Sequence, residues 1–210
     1  MKVTVICSDP RHPVHAALLA WQREMSARAE VRIVQNITDA RGGDFLFLVS
    51  CQDIVRKPVR DAYRYCLVLH ASDLPRGRGM SPHIWRIIEG ARSLTITLLS
   101  AEDAVDTGAI WRQQTFEVAP TDLADEINAR LFAAEMELMT WALVHCDTCS
   151  PSPQHGEPSY YRRRSAADSQ IDVHKPLAEA FDLLRIADPE RFPAFFEYRG
   201  QKYRIRIDKL

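Results

Sequence analysis

The chain has 210 residues, is 46% hydrophobic and 26% charged, and carries a formal net charge of -1. That is enough apolar mass for one main domain with an appendage, and too little net charge for a global field that attracts nucleic acid. The longest apolar run, Phe45–Val49, cannot span a bilayer. The N-terminus reads as a first strand rather than a secretory leader, so a cytoplasmic protein is expected.

Residues 2–7 read as a buried strand that Ser8-Asp9-Pro10 ends. Val14, Leu18, Trp21 and Met25 then fall on one helical face. Strands are expected at Val31–Val34 and Phe45–Ser50, the latter unalternating, as suits a parallel sheet covered on both faces. Around Asp53–Tyr63 only Pro58 gives a signal, for a first helical turn. Cys66–Leu69 is a fourth strand, ending at His70, and a polar, glycine-bearing loop follows.

Ser81 is expected to cap a short helix with Pro82 at its first position and Gly90 at its stop. Leu94–Leu99 and Ala109–Val118 read as strands on either side of a loop holding Asp106. Thr121 is expected to cap a long helix whose stripe runs Leu123, Ile127, Leu131, Ala134, Leu138, Trp141, His145. The alternation of strands and helices predicts an α/β fold with an open, mostly parallel, Rossmann-like sheet over residues 1–146. Residues 147–158, rich in proline and serine, read as a linker. Residues 159–210 read as a small helix-plus-hairpin segment turning at Arg199-Gly200, with Tyr203, Ile205 and Ile207 on a packed face. The edge of that hairpin makes a homodimer an expectation. Cys146-x-x-Cys149 has no second pair to complete a zinc site, so no metal is expected. Gly77-x-Gly79 lacks the third glycine of a dinucleotide fingerprint.

Taken alone, a histidine ending an apolar strand sits where open α/β sheets place ligands, and an Asp-Thr-Gly run reads as a turn. Together they carry more. The run His70-Ala71-Ser72-Asp73-Leu74-Pro75-Arg76-Gly77-Arg78-Gly79 resembles the H-x-S-L-L-P-x-x-R-G motif of the folate-dependent formyltransferases. Val105-Asp106-Thr107-Gly108-Ala109-Ile110 resembles their second motif, in the expected order and at a suitable distance. Pro158–Arg164, Asp168–Asp172 and the close from Arg191 to Tyr203 are similar to the segments that follow the catalytic domain in sugar N-formyltransferases. The version here is most similar to small enzymes of nonulosonic-acid (pseudaminic-type) and related amino-sugar pathways. The resemblance covers the chain from about Phe45 to its end.

The resemblance implies formyl transfer from N10-formyltetrahydrofolate to the primary amine of an amino sugar, either nucleotide-linked or a nonulosonic acid, for surface glycans. It implies His70 as donor to the developing oxyanion, and Asp106 as its orienting and proton-accepting partner. Folate would lie against Gln52, Ile54 and Val59 and the loop holding Ala101, Asp103 and Val105. For the acceptor, Arg76 and Arg78 are candidates, since arginine engages phosphate or carboxylate bidentately. The family's third catalytic residue, an asparagine two positions before the histidine, is Val68 here. Ser50, Gln52 and His83 are the candidates to replace its hydrogen bond. Two other readings stand beside this one: formylation of an amino-acid or carrier-bound amine, and a folate-binding homologue without turnover. Methionyl-tRNA is the less expected acceptor on length and charge.

Overall fold

A computed structural model describes residues 1–210. Five strands and three helices come first: β1 (Lys2–Ile6), α1 (His15–Met25), β2 (Glu30–Val34), β3 (Gly43–Val49), α2 (Lys57–Arg60), β4 (Tyr63–His70), the two-residue β5 (Arg78–Gly79) and α3 (Pro82–Ile88). Next come β6 (Ser93–Ser100), β7 (Ile110–Glu117) and α4 (Ala124–His145). The chain closes with β8 (Tyr160–Tyr161), α5 (Leu177–Ile186) and the hairpin β9 (Ala194–Tyr198) and β10 (Gln201–Ile205).

The main sheet runs β2-β1-β3-β4-β6-β7. β1 through β4 pair in parallel, and β6 and β7 are added antiparallel. The parallel strands are the unalternating apolar runs, buried on both faces as such strands must be. On one face α1 and α4 cover Val3, Val5, Phe47 and Leu69, and Val14, Leu18, Trp21 and Met25 all point inward. On the other face Ile6, Leu46, Leu48, Val55 and Tyr63 form a smaller cluster. The C-terminal segment has no separate core: Ile186 of α5 joins Ile87, Leu94, Val118 and Ile127.

Three local expectations change. Ser81 lies in the left-handed region (φ +52) and its side chain caps nothing. The long helix begins at Ala124 rather than beside Thr121. Asp122 turns back to accept the Ala119 N–H at 2.6 Å and pairs with Arg130, and the Glu126 carboxylate instead accepts the Leu123 N–H at 2.8 Å. The hairpin turns at Arg199-Gly200, both at positive φ (+52 and +76), the geometry of a tight two-residue turn. Its expected packed face is covered in part: Ile205 and Ile207 are half-buried, while Tyr203 is stacked on Phe196 at 5.3 Å between ring centres and remains exposed. No helix is long and apolar enough to cross a membrane.

Candidate active site

β4 delivers His70 at its carboxyl end, between β3 and β6. The ring is nearly sealed. Nε2 lies 2.9 Å from the carbonyl oxygen of Gly77; a carbonyl only accepts, so Nε2 carries the hydrogen. Nδ1 faces Oδ1 of Asp106 at 3.5 Å, with the two side chains 8% and 7% exposed.

Asp106 arrives on the tight connection between β6 and β7, at φ +56, a left-handed conformation that aspartate tolerates better than most residues. Two contacts hold it there. Its Oδ2 accepts the Gly79 N–H at 2.9 Å. Gln154 donates from Nε2 to the carbonyl oxygens of Asp106 and Gly108, both at 2.8 Å. A Cβ at Gly108 would land on the carbonyl oxygen of Ser100, and one at Gly79 on that of Tyr161, so both loops close only through glycine. The segment read as a linker is therefore part of the frame. Ser152 exchanges backbone hydrogen bonds with Ile110 at 2.7 and 2.8 Å, and β8 lies parallel to β5.

The pair opens on a cavity of about 350 Å³. Its walls are the strand ends, the loops after β1 and β3, the start of α3, the Asp106 loop, the face of α4 with Phe132 and Glu135, and Arg163, Arg164 and Arg191 of the C-terminal segment. A more open concavity at Met1, Ser26–Glu30 and Asp44 lies at the opposite strand ends, away from these residues.

The structure gathers Ser50, Gln52, Ile54, Val68, His70, His83, Ala101, Val105 and Asp106 on this one cavity. Four other residues singled out in the sequence lie off it. Val59 packs beside Val55 and Tyr63. Asp103 is exposed and ion-paired with Arg60 at 2.8 Å, which holds its carboxyl below the usual range. Arg76 pairs with Asp73 at 2.6 Å on the surface. Arg78 gives its guanidinium to Gln154 Oε1 at 2.7 Å and Tyr160 Oη at 3.2 Å.

Other polar groups line the cavity, and of these His12 and Glu135 went unread in the sequence. His12 meets Ser50 Oγ at 3.2 Å, and burial, then Arg191, push it down to about 4. Glu135 is 5% exposed with Oε2 unpartnered, and burial alone raises its carboxyl to about 8. Arg163 reaches Gln52 Oε1 at 3.3 Å. Glu135 did carry a signal: Phe132, Glu135 and Met139 share a helical face, and a charge on such a stripe is out of place. No group of three histidine, cysteine or acidic side chains is placed to hold a metal ion.

Residues 3–143 match the family model described as formyl transferase. The chain belongs to the formyl transferase family. The match begins at β1, so the family likeness extends through the N-terminal strands and not only from Phe45 onward. Among relatives, methionyl-tRNA formyltransferase of Agathobacter rectalis is 27% identical over 205 residues, 94% of this chain and 66% of the relative. That of Parvibaculum lavamentivorans is 33% identical over 172 residues, 78% and 54% respectively. The chain thus spans between about half and two thirds of the curated relatives it matches.

Among solved structures, methionyl-tRNA formyltransferase from Clostridium thermocellum superposes with a TM-score of 0.85 at 21% identity, covering 100% of this chain and 93% of that one. A likely sugar N-formyltransferase from Mycobacterium tuberculosis gives 0.77 at 17%, covering 98% and 96%. HypX from Aquifex aeolicus, in complex with tetrahydrofolic acid, gives 0.78 at 16%, covering 96% and 36%. These likenesses establish the fold, an α/β formyltransferase sheet.

Proposed function

We propose that this protein transfers a formyl group from N10-formyltetrahydrofolate to the primary amine of an amino sugar. The observation that carries the proposal is the buried His70–Asp106 pair at the strand ends, opening on a cavity in a formyl transferase fold. The cavity fits a flat ligand with polar edges. Leu48, Ile54, Val55, Val68 and Ala101 give it an apolar wall, and the unpartnered Glu135 Oε2 gives it a polar one. The tetrahydrofolate complex of a structural relative supports a folate cosubstrate.

The chemistry then divides among this chain's residues. The amine must lose a proton as it attacks, and Asp106 with His70 Nδ1 is the group placed to take it. The ring cannot swing while Nε2–H is held by Gly77, so the proton-carrying atom stays fixed, and fixed geometry is itself a large part of such catalysis. The formyl oxygen gains charge and needs a hydrogen-bond donor aimed at it.

The amino-sugar acceptor rests on the resemblance of the C-terminal segment to sugar N-formyltransferases. The methionyl-tRNA relatives keep an aminoacyl acceptor as the second reading. Incubation with formyl-folate and a panel of amino-sugar nucleotides, nonulosonic acids, amino acids and methionyl-tRNA, following released tetrahydrofolate, tests both. Turnover only with methionyl-tRNA would replace the sugar reading, and no turnover with any amine would end the enzyme reading. We also infer that the exposed β9–β10 hairpin pairs two copies of the chain. Sedimentation velocity is expected to show a dimer, and a monomer at every concentration would remove that inference.

A further inference from the structure

Val68 is two residues before His70 on β4, so the two side chains leave the same face of the sheet. A valine there gives the reacting formyl group no hydrogen bond, and the Nε2–H of His70, expected to serve the oxyanion, is already given to Gly77. Of the three polar side chains singled out in the sequence to supply that hydrogen bond, all on this cavity, Ser50 is engaged elsewhere and Gln52 is exposed. Ser50 Oγ lies against His12 Nε2, and at the rim water competes for the amide donors of Gln52.

The third is His83, in the first turn of α3. Neither ring nitrogen has a protein partner, and Nδ1 is sealed from solvent. The residue lies deep in the molecule yet keeps some accessible surface, because that surface faces the cavity shared with Val68, His70 and Asp106. Burial pushes the imidazole down to about 3, and the nearby His12, His70 and Arg164 push the same way. At neutral pH the ring is uncharged, with one N–H and one bare nitrogen. An orphaned buried N–H is rarer in proteins than an under-used acceptor. The hydrogen therefore belongs on Nε2, the nitrogen with access to open space, and Nδ1 stays bare.

We propose that His83 supplies, from Nε2–H, the hydrogen bond to the formyl oxygen that Val68 cannot give. This rests on the formyl-transfer reading above. The amine lone pair forms the new C–N bond, and the C=O π pair moves onto oxygen, where His83 holds it. When the adduct collapses, the bond from carbon to N10 of the folate breaks. The proton released by the amine passes through the His70–Asp106 pair to that nitrogen. His83 remains neutral throughout.

The test uses the full chain with formyl-folate and the best amine from the panel. His83→Phe, which fills the space without a donor, and His83→Ala are each expected to lower kcat about 100-fold. The KM for formyl-folate and the calorimetric folate affinity are expected to stay within about threefold. Adding Val68→Asn to His83→Ala is expected to recover at least tenfold of the loss. Wild-type kcat in either folded single variant would overturn the inference while leaving the formyl-transfer reading intact. So would a folded double variant that recovers nothing. An inactive wild type that still binds folate would overturn both.

Discussion

On the strand-end side of the cavity the polar atoms are paired. His70 Nε2 is held by Gly77, Asp106 Oδ2 by the Gly79 amide, and the carbonyls of Asp106 and Gly108 by Gln154. On the helical side, Glu135 of α4 and His83 of α3 have buried polar atoms with no partner. Each such atom costs about 1–3 kcal/mol of desolvation. The paired side fixes geometry before any ligand arrives. The unpaired side leaves polar groups free of protein partners, and pairing of such groups with a ligand is one source of specificity for a polar substrate. The two sides should therefore respond differently to substitution.

The largest effect is expected on the paired side. Asp106→Asn keeps an oxygen for the Gly79 amide and tolerates φ +56, so the fold should survive. It removes the charge facing His70 Nδ1. A fall in kcat of about 10³-fold is expected, with folate affinity and melting temperature nearly unchanged. A loss under tenfold would mean that the pair is structural.

Gln154→Leu comes next. It strips two carbonyls of their donor, and Arg78 of its acceptor, without touching the cavity. About 2 kcal/mol of stability should be lost, and kcat should fall roughly tenfold as the Asp106 loop loosens. Thermal melts and kcat measured together check both. Unchanged kcat would show that the Gly79 contact alone positions Asp106.

On the unpaired side the readout is pH. Glu135 titrates near 8 in the folded chain, against an ordinary carboxylate near 4.5. Between those values the folded state binds more protons than the unfolded chain, so stability falls as pH rises through the window. His12, at about 4, and His83, at about 3, have the opposite sign: they are held neutral, so stability is lost as pH falls below about 6.5. The melting temperature should therefore peak near pH 6. Glu135→Gln should flatten the alkaline limb and, because the Glu135 window reaches down to about 4.5, steepen the acid limb above that pH. An alkaline limb identical in Glu135→Gln would show that Glu135 has found a partner in solution.

The same contrast explains what the sequence disclosed. Fully apolar runs such as Phe45–Val49 announce central strands, and Leu18, Trp21 and Met25 announce a buried helical face, because burial dictates both patterns. The two loops announce the candidate site through their resemblance to the formyltransferase motifs, whose histidine, glycines and aspartate they keep. Three things escaped. Strand direction did, since β6 and β7 have the same apolar content whether parallel or antiparallel. The start of α4 did, since Asp122 resembles a first-turn acid but binds Ala119 and Arg130. Gln154 did as well: a proline- and serine-rich stretch reads as a loop, and a hydrogen bond across 48 residues leaves no local trace.

The smallest effect is expected outside both sides, at Arg76. Its guanidinium pairs with Asp73 three residues away, and both side chains are largely exposed. Pairs of this kind contribute about 0–1 kcal/mol, so Arg76→Ala should leave the melting temperature and kcat unchanged. The informative quantity is the KM for the acceptor. Unchanged, it would confine the acceptor to the cavity, with its anionic groups near Arg163 and Arg164. A rise above about fivefold would mean that the acceptor runs past the paired side onto the loop before α3. A substrate of that length fits a nucleotide-linked sugar better than a free one, since the added phosphate is what a surface arginine engages.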